Sequence, residues 1–245
     1  MKKITMDIWK DNINMLTTHT SRARICVVCY DNRKNDDITK LKSINTTYCK
    51  KNGYDFKFYD KYNDENEYPQ YWLKVKIMCD VLKSNKYDYV MWIDSDACFY
   101  NHNIRIENIF KCFGKNNIFV MSHDRETDGL SPFNAGVWIV NNNHHGLDFM
   151  NDWLNKYNSK DWTVHDKVKW VCKECADGVC KECPWGGKSY EQGSCLDLLS
   201  SDKYISNILY VDSSILQEIS PSEYTFVLHF YGPEKSKIKD FIYAQ

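Results

Sequence analysis

Tyr89-Val-Met-Trp-Ile runs straight into Asp94-Ser-Asp96, and this segment constrains the fold more than any other. A short apolar run rich in β-branched and aromatic residues predicts a buried parallel strand. Side chains alternate along a strand, so carboxylates at i and i+2 leave its end on the same side. Ligands of open α/β sheets collect outside the carboxyl ends of strands. Two carboxylates placed there repel each other unless a positive group lies between them. A divalent cation carrying phosphate oxygens is the natural partner.

The flanking pattern predicts one α/β domain around that strand. Ile25-Cys-Val-Val-Cys-Tyr30 reads as a short buried strand ending in the turn signal Asp31-Asn32. Asp36-Asp37 opens a helix with Ile38, Leu41, Ile44 and Tyr48 at helical spacing, and Gly53 closes it. Asp55-Phe-Lys-Phe-Tyr alternates like a second strand, which completes a βαβ unit. Further helices are expected over 71–82, 104–112, 146–157 and 190–199, and further strands over 117–121, 134–140, 208–211 and 226–231. Residues 1–22 carry Ile4, Ile8, Trp9, Ile13 and Leu16 at roughly helical spacing and read as an amphipathic amino-terminal helix or arm. The main domain is then 23–245, with a Cys-rich insert at 158–190.

Composition narrows the function. With 32 basic and 33 acidic residues among 245, the net charge is −1, which gives no footprint for nucleic acid or anionic membrane. The 17 Tyr and 8 Trp suit both a core and a sugar-stacking cleft. No stretch has the length of a transmembrane helix. Asp7, Lys10 and Asp11 interrupt any apolar region behind Met1-Lys2-Lys3, so no signal peptide is expected. Eleven cysteines, an odd count without a secretion signal, argue for a reducing compartment. The expectation is a cytoplasmic enzyme of microbial or viral origin, or one separated from a membrane anchor.

Several motifs follow one another in a specific order: Asn45 through Tyr54 (Asn-x-x-Tyr-x-x-x-x-Gly-Tyr), Tyr71-Trp72-Leu-Lys74, Trp92-Ile-Asp94-Ser-Asp96-Ala, Phe133-Asn134-Ala135-Gly136-Val, Glu191-Gln192 and His229-Phe-Tyr-Gly232-Pro-Glu-Lys235. Each is weak alone. Together they resemble the galactosyl/mannosyl transferase family that includes xyloglucan xylosyltransferases and yeast α-galactosyl- and α-mannosyltransferases, with more distant similarity to glycogenin-like enzymes. The resemblance spans roughly residues 24–236. It implies a GT-A fold, a Rossmann-like α/β domain with a mixed, mostly parallel sheet. It also implies a retaining, metal-dependent transfer of a hexose or pentose from a nucleotide-diphosphate sugar, UDP-sugar first, to a glycan or other hydroxyl acceptor.

The same resemblance assigns roles. Cys29, Tyr30 and Asp31 would meet the base and ribose. Lys74 would face the donor, with Lys76 as its neighbouring competitor. Asp94, Asp96 and His229 would hold Mn²⁺ or Mg²⁺ beside Ser95, and the imidazole favours Mn²⁺. Gly232 would let the backbone approach the phosphates, and Lys235 would neutralise charge there. The family pattern often continues with Pro-Trp, where this chain has Ser236-Lys237. Asn134, Ala135 and Gly136 would lie under the sugar, with Asp124 as a further sugar contact. Glu191 and Gln192 would face the anomeric carbon, stabilising oxocarbenium-like charge during same-face attack or acting by double displacement.

One feature stands outside that pattern. Cys172-Lys-Glu-Cys175 and Cys180-Lys-Glu-Cys183 repeat one Cys-x-x-Cys unit across an Asp-Gly hairpin signal. Four sulfurs so gathered suit a structural Zn²⁺, although the spacer is shorter than in common zinc ribbons. The rival functions are a phosphatase of the haloacid dehalogenase type, which also places Asp-x-Asp after a strand, and a non-catalytic carbohydrate-binding protein on the same fold. The phosphatase pattern needs Thr or Val two residues beyond the second Asp, where this chain has Cys98.

Overall fold

The computed structural model describes residues 1–19, 23–123, 133–165, 169–173 and 187–243. Its strands are β1 (Lys2–Ile4), β2 (Ile25–Tyr30), β3 (Asp55–Tyr59), β4 (Tyr89–Ile93), β5 (Ala97–Phe99), β6 (Phe119–Ser122), β7 (Val137–Asn141), β8 (Trp162–His165), β9 (Lys169–Cys172), β10 (Ile208–Val211) and β11 (Val227–His229). Seven of them form a central sheet in the order β1-β10-β6-β7-β4-β2-β3. Neighbours run parallel except at β7, which is antiparallel to both β4 and β6. The expected mixed, mostly parallel α/β sheet is therefore present.

Alternation along β4 explains how the sheet is buried on both faces. Val90 and Trp92 enter a core with Trp72, Trp138 and Trp153, whereas Met91 and Ile93 enter the opposite core with Trp9, Ile109 and Phe110. Each such side chain contributes about 1.5–3 kcal/mol on burial. Helix Gln70–Lys83 covers the first face, with Trp72, Val75, Met78, Cys79 and Leu82 buried. Among the described residues the cysteines are free thiols, all buried except the half-buried Cys112.

Helix Asp36–Asn52 starts where the Asn35 side chain accepts the Asp37 N–H and ends at Gly53, whose φ of 73° is left-handed. Its buried face organises the segment that follows Asp96. The Asn45 amide donates to Ala97 O at 3.0 Å and accepts from Phe99 N at 3.0 Å. Tyr48 stacks on Phe99 and donates to Ile104 O. The Asn45–Tyr54 motif thus braces β5 rather than a ligand.

The short strand β5 was not legible in the sequence. It pairs antiparallel with β11, so that His229 lies opposite Ala97. Residues 1–19 also hold more than a helix. Helices Met6–Asp11 and Ile13–Thr17 follow β1, which extends the central sheet by pairing with β10. In the insert, β8 and β9 form an antiparallel hairpin. Cys172 ends β9 and is buried, whereas Cys175, Cys180 and Cys183 lie outside the described residues, as does Asp124. Among the described residues, no helix is long and apolar enough to cross a membrane.

Candidate active site

The carboxyl ends of β2 and β4, the start of β7 and the start of helix Glu191–Leu199 enclose a cleft of about 390 Å³, closed on one side by the segment after β11. Tyr30, Asp31, Lys74, Asp94, Ser95 and Asp96 line it. So do Asn134, Ala135, Gly136, Glu191, Gln192, His229, Gly232 and Lys235. Cys29 is the exception among the residues expected to touch the donor. Its side chain points into the core with Val27 and Ile25 and does not line the cleft. Alternation along β2 sends it to the face opposite its neighbours.

Asp94 is held on three sides. Lys74 Nζ lies 2.9 and 3.2 Å from its two oxygens, Trp92 Nε1 donates to it at 2.6 Å, and its own N–H donates to Gly136 O. Lys74 is buried, and its Nζ also donates to Ala135 O and lies 3.6 Å from Glu191 Oε1. Burial disfavours its charge, but Asp94 and Glu191 outweigh that and raise its pKa above the usual lysine value. Lys76 instead pairs with Asp64 and Asp80, outside the cleft.

Asp96 faces the other way. Its Oδ1 is 3.3 Å from His229 Nε2 and its Oδ2 is 2.9 Å from Lys235 Nζ. Burial opposes its charge, yet the hydrogen bond and charge of His229, with those of Lys235, hold the carboxyl well below the usual carboxylate range. The ligating atoms of Asp94, Asp96 and His229 all lie within 4.8 Å of one another. Two carboxylates and one imidazole form a donor set suited to a divalent cation with some transition-metal character.

Gly136 owes its place to the imidazole. A Cβ there would lie 2.0 Å from His229 Cε1, so only glycine lets the ring sit against β7. Gly232 adopts φ 58° at the turn into a 3₁₀ segment. Gln192 Oε1 accepts the Ala135 N–H at 2.9 Å, and Asn134 Oδ1 accepts the Gly136 N–H at 2.8 Å. These amides fix the Asn-Ala-Gly turn.

Glu191 is buried at the head of its helix, and Trp153 Nε1 donates to its carbonyl. Burial pushes its carboxyl up to about 7. Lys74 pulls against that shift and Asp94 adds to it.

Arg33 and Gln217 were missed by the motif reading. Arg33 grips Asp31 through Nε and Nη2 and donates to Ser95 Oγ at 3.2 Å. Ser95 Oγ also donates to Asp31. Burial acts to raise the Asp31 carboxyl, but Arg33 and Ser95 bring it below its ordinary value. Gln217 lies against His229. A basic residue close behind a strand-ending Asp was the available signal for Arg33, whereas nothing local pointed to Gln217.

Residues 9–115 match the galactosyl transferase GMA12/MNN10 family model. Galactomannan galactosyltransferase 1 of Cyamopsis tetragonoloba is 26% identical over 115 residues, which is 44% of this chain and 25% of that protein. The chain thus spans about a quarter of the length of that relative. Over 91% of its length the chain superposes on the whole of a glycosyltransferase involved in the glycosylation of the major capsid of PBCV-1, with a TM-score of 0.65 and 18% identity. The chain is galactosyl/mannosyl transferase-like in sequence over its amino-terminal part, and its fold is that of a solved glycosyltransferase.

Proposed function

We propose that this galactosyl/mannosyl transferase-like chain is a retaining, metal-dependent glycosyltransferase. It would take a hexose or pentose from a UDP-sugar and place it on a glycan or other hydroxyl acceptor. The observation that carries the reading is the convergence of Asp94, Asp96 and His229 beside the buried Lys74–Glu191 pair in one cleft.

The residues present fit a divalent cation. Asp94, Asp96 and His229 would hold it, and Mn²⁺ suits the imidazole better than Mg²⁺ does. When bound, it would supply Lewis-acid stabilisation of a diphosphate leaving group. Lys235 and Arg33 border the same space and would add positive charge along the phosphates. Lys74 has a different task. Its contacts with Asp94, Ala135 O and Glu191 would use it as the counter-charge that lets two carboxylates share one cleft.

Asn134 and Ala135 would support the sugar ring. Glu191 would face positive charge developing at the anomeric carbon. Gln192 is tethered through its Oε1 to the Ala135 backbone and would position the turn. Attack by the acceptor hydroxyl from the leaving-group face retains configuration, and the departing diphosphate oxygen takes up the acceptor's proton. The phosphatase alternative is less well supported. Position 98, where that pattern needs Thr or Val, is a cysteine buried in β5, opposite Leu228 of β11. A binding protein without catalysis is less well supported because three metal-ligating groups and the buried Lys74–Glu191 pair meet in one cleft.

Asp94→Ala or Asp96→Ala should abolish Mn²⁺-dependent release of UDP from UDP-sugars while the protein stays folded by circular dichroism. UDP release measured with and without EDTA is the check. Full activity in either variant, or in excess EDTA, would exclude the mechanism.

A further inference from the structure

His229 can present its Nε2 electron pair to a cation only while the proton of the neutral ring resides on Nδ1. Gln217 meets that second nitrogen. Its Oε1 lies 2.5 Å from His229 Nδ1, and both side chains are buried, Gln217 completely. An amide oxygen only accepts, so this contact requires a proton on Nδ1. Nε2 is thereby turned toward Asp96 Oδ1 at 3.3 Å and Asp94 Oδ2 at 4.0 Å.

The backbone keeps Gln217 at that station. Phe226 N donates to Ile215 O and His229 N donates to Glu218 O, each at 2.9 Å. These bonds bracket Gln217 and set its register against β11. Thr225 Oγ1 adds a bond to Ser214 O. On the other side the ring packs on Gly136, where a Cβ would lie 2.0 Å from Cε1.

We propose that Gln217 is a positioning residue that keeps a proton on His229 Nδ1, so that Nε2, which faces Asp96 when no cation is bound, is the nitrogen left to ligate one. The assignment rests on the metal-dependent reading above, but half of its test needs no metal. ¹⁵N-histidine NMR of the metal-free protein near pH 8, with the His229 signals identified by their loss in His229→Asn, should show a proton on Nδ1. A neutral ring protonated on Nε2 alone would overturn the proposal.

The other half uses Mn²⁺ alone, with the free ion read by electron paramagnetic resonance. Gln217→Met keeps the volume but removes the acceptor, and it should weaken Mn²⁺ binding by roughly 10–100-fold, the usual range for losing a partner behind a ligating histidine. Gln217→Glu restores an acceptor and should bind at least as tightly as the wild type. Wild-type affinity in Gln217→Met, or a loss in Gln217→Glu equal to that in Gln217→Met, would refute the tautomer role. Absence of Mn²⁺ binding by the wild type would instead defeat the metal reading, with the NMR result judging Gln217 separately.

Discussion

The two walls of the cleft are built by different means. One comes from residues inside the stretch that matches the family model, chiefly Asp31, Lys74, Asp94 and Asp96. The other comes from Glu191, His229 and Lys235, far along the chain. In the first wall, the contacts of Asp94 are made by the long strand β4, by helix Gln70–Lys83 and by the turn before β7. In the second, His229 sits at the end of a three-residue strand and relies on Gly136, Gln217 and Ala97 for its place. The first wall follows from local pattern, the second from close packing between remote segments. Asp94 and Asp96 are where they meet, one braced by Lys74 and the other by His229 and Lys235.

Lys74 offers the strongest way to break that division, because it reaches across both walls. Lys74→Met should leave the buried Glu191 and the half-buried Asp94 without their shared counter-charge. Loss of one partner of a buried ion pair costs about 3–5 kcal/mol, and one of the two carboxyls would take up a proton. The expected outcome is a lower denaturation midpoint and a fall in UDP release of at least about 100-fold, if Glu191 is the group so neutralised. A variant with wild-type stability and turnover would show that the two walls work independently.

The same contrast explains what was readable in the sequence. β2, β3, β4 and the helices between them announce themselves through apolar period, an Asp-Asp start and a glycine stop. Asp94, Asp96, Lys74, Glu191 and His229 were each flagged by a short motif, and the fold brings them to one place. The pairings between remote segments left no such trace. β1 and β5 have three residues each, too few to show a period, and their partners lie more than a hundred residues away. Gln217 sits next to the end of a four-residue helix with no motif around it, and its meaning arises only from the nitrogen opposite. Cys29 misled for the converse reason. It stands in the right strand but on the wrong side of it.

Glu191 gives a second, smaller test, because stability and activity should respond to pH in opposite directions. Its carboxyl rises from an ordinary 4.5 to about 7 in the fold, chiefly through burial. Between those values the folded state holds more proton than the unfolded chain, so stability is fullest below pH 4.5 and is lost as pH rises through about 7. Metal-free wild type should therefore lose melting temperature relative to Glu191→Gln across that window. Transfer should climb over the same window, because the ionised carboxylate is the form that faces developing positive charge. A stability profile parallel to that of Glu191→Gln would place the titration elsewhere.

The smallest effect is expected at Lys235, where the second wall reaches solvent. Its side chain is 47% exposed and its partner Asp96 also has His229. An ion pair of that kind contributes about 0–1 kcal/mol to stability, so Lys235→Ala should melt within a few degrees of the wild type. Its proposed task is to neutralise a diphosphate, which is called on only when the donor is present. KM for the UDP-sugar should rise by roughly 10-fold, equivalent to about 1.4 kcal/mol of binding, with kcat changed less. Raising the ionic strength should narrow the gap between variant and wild type, because an exposed charge is screened and Lys74, in its dry pocket, is not. A kcat loss as large as that of Lys74→Met would mean that the second wall shares in holding the carboxylates together, and that the difference between the two cations lies in exposure alone.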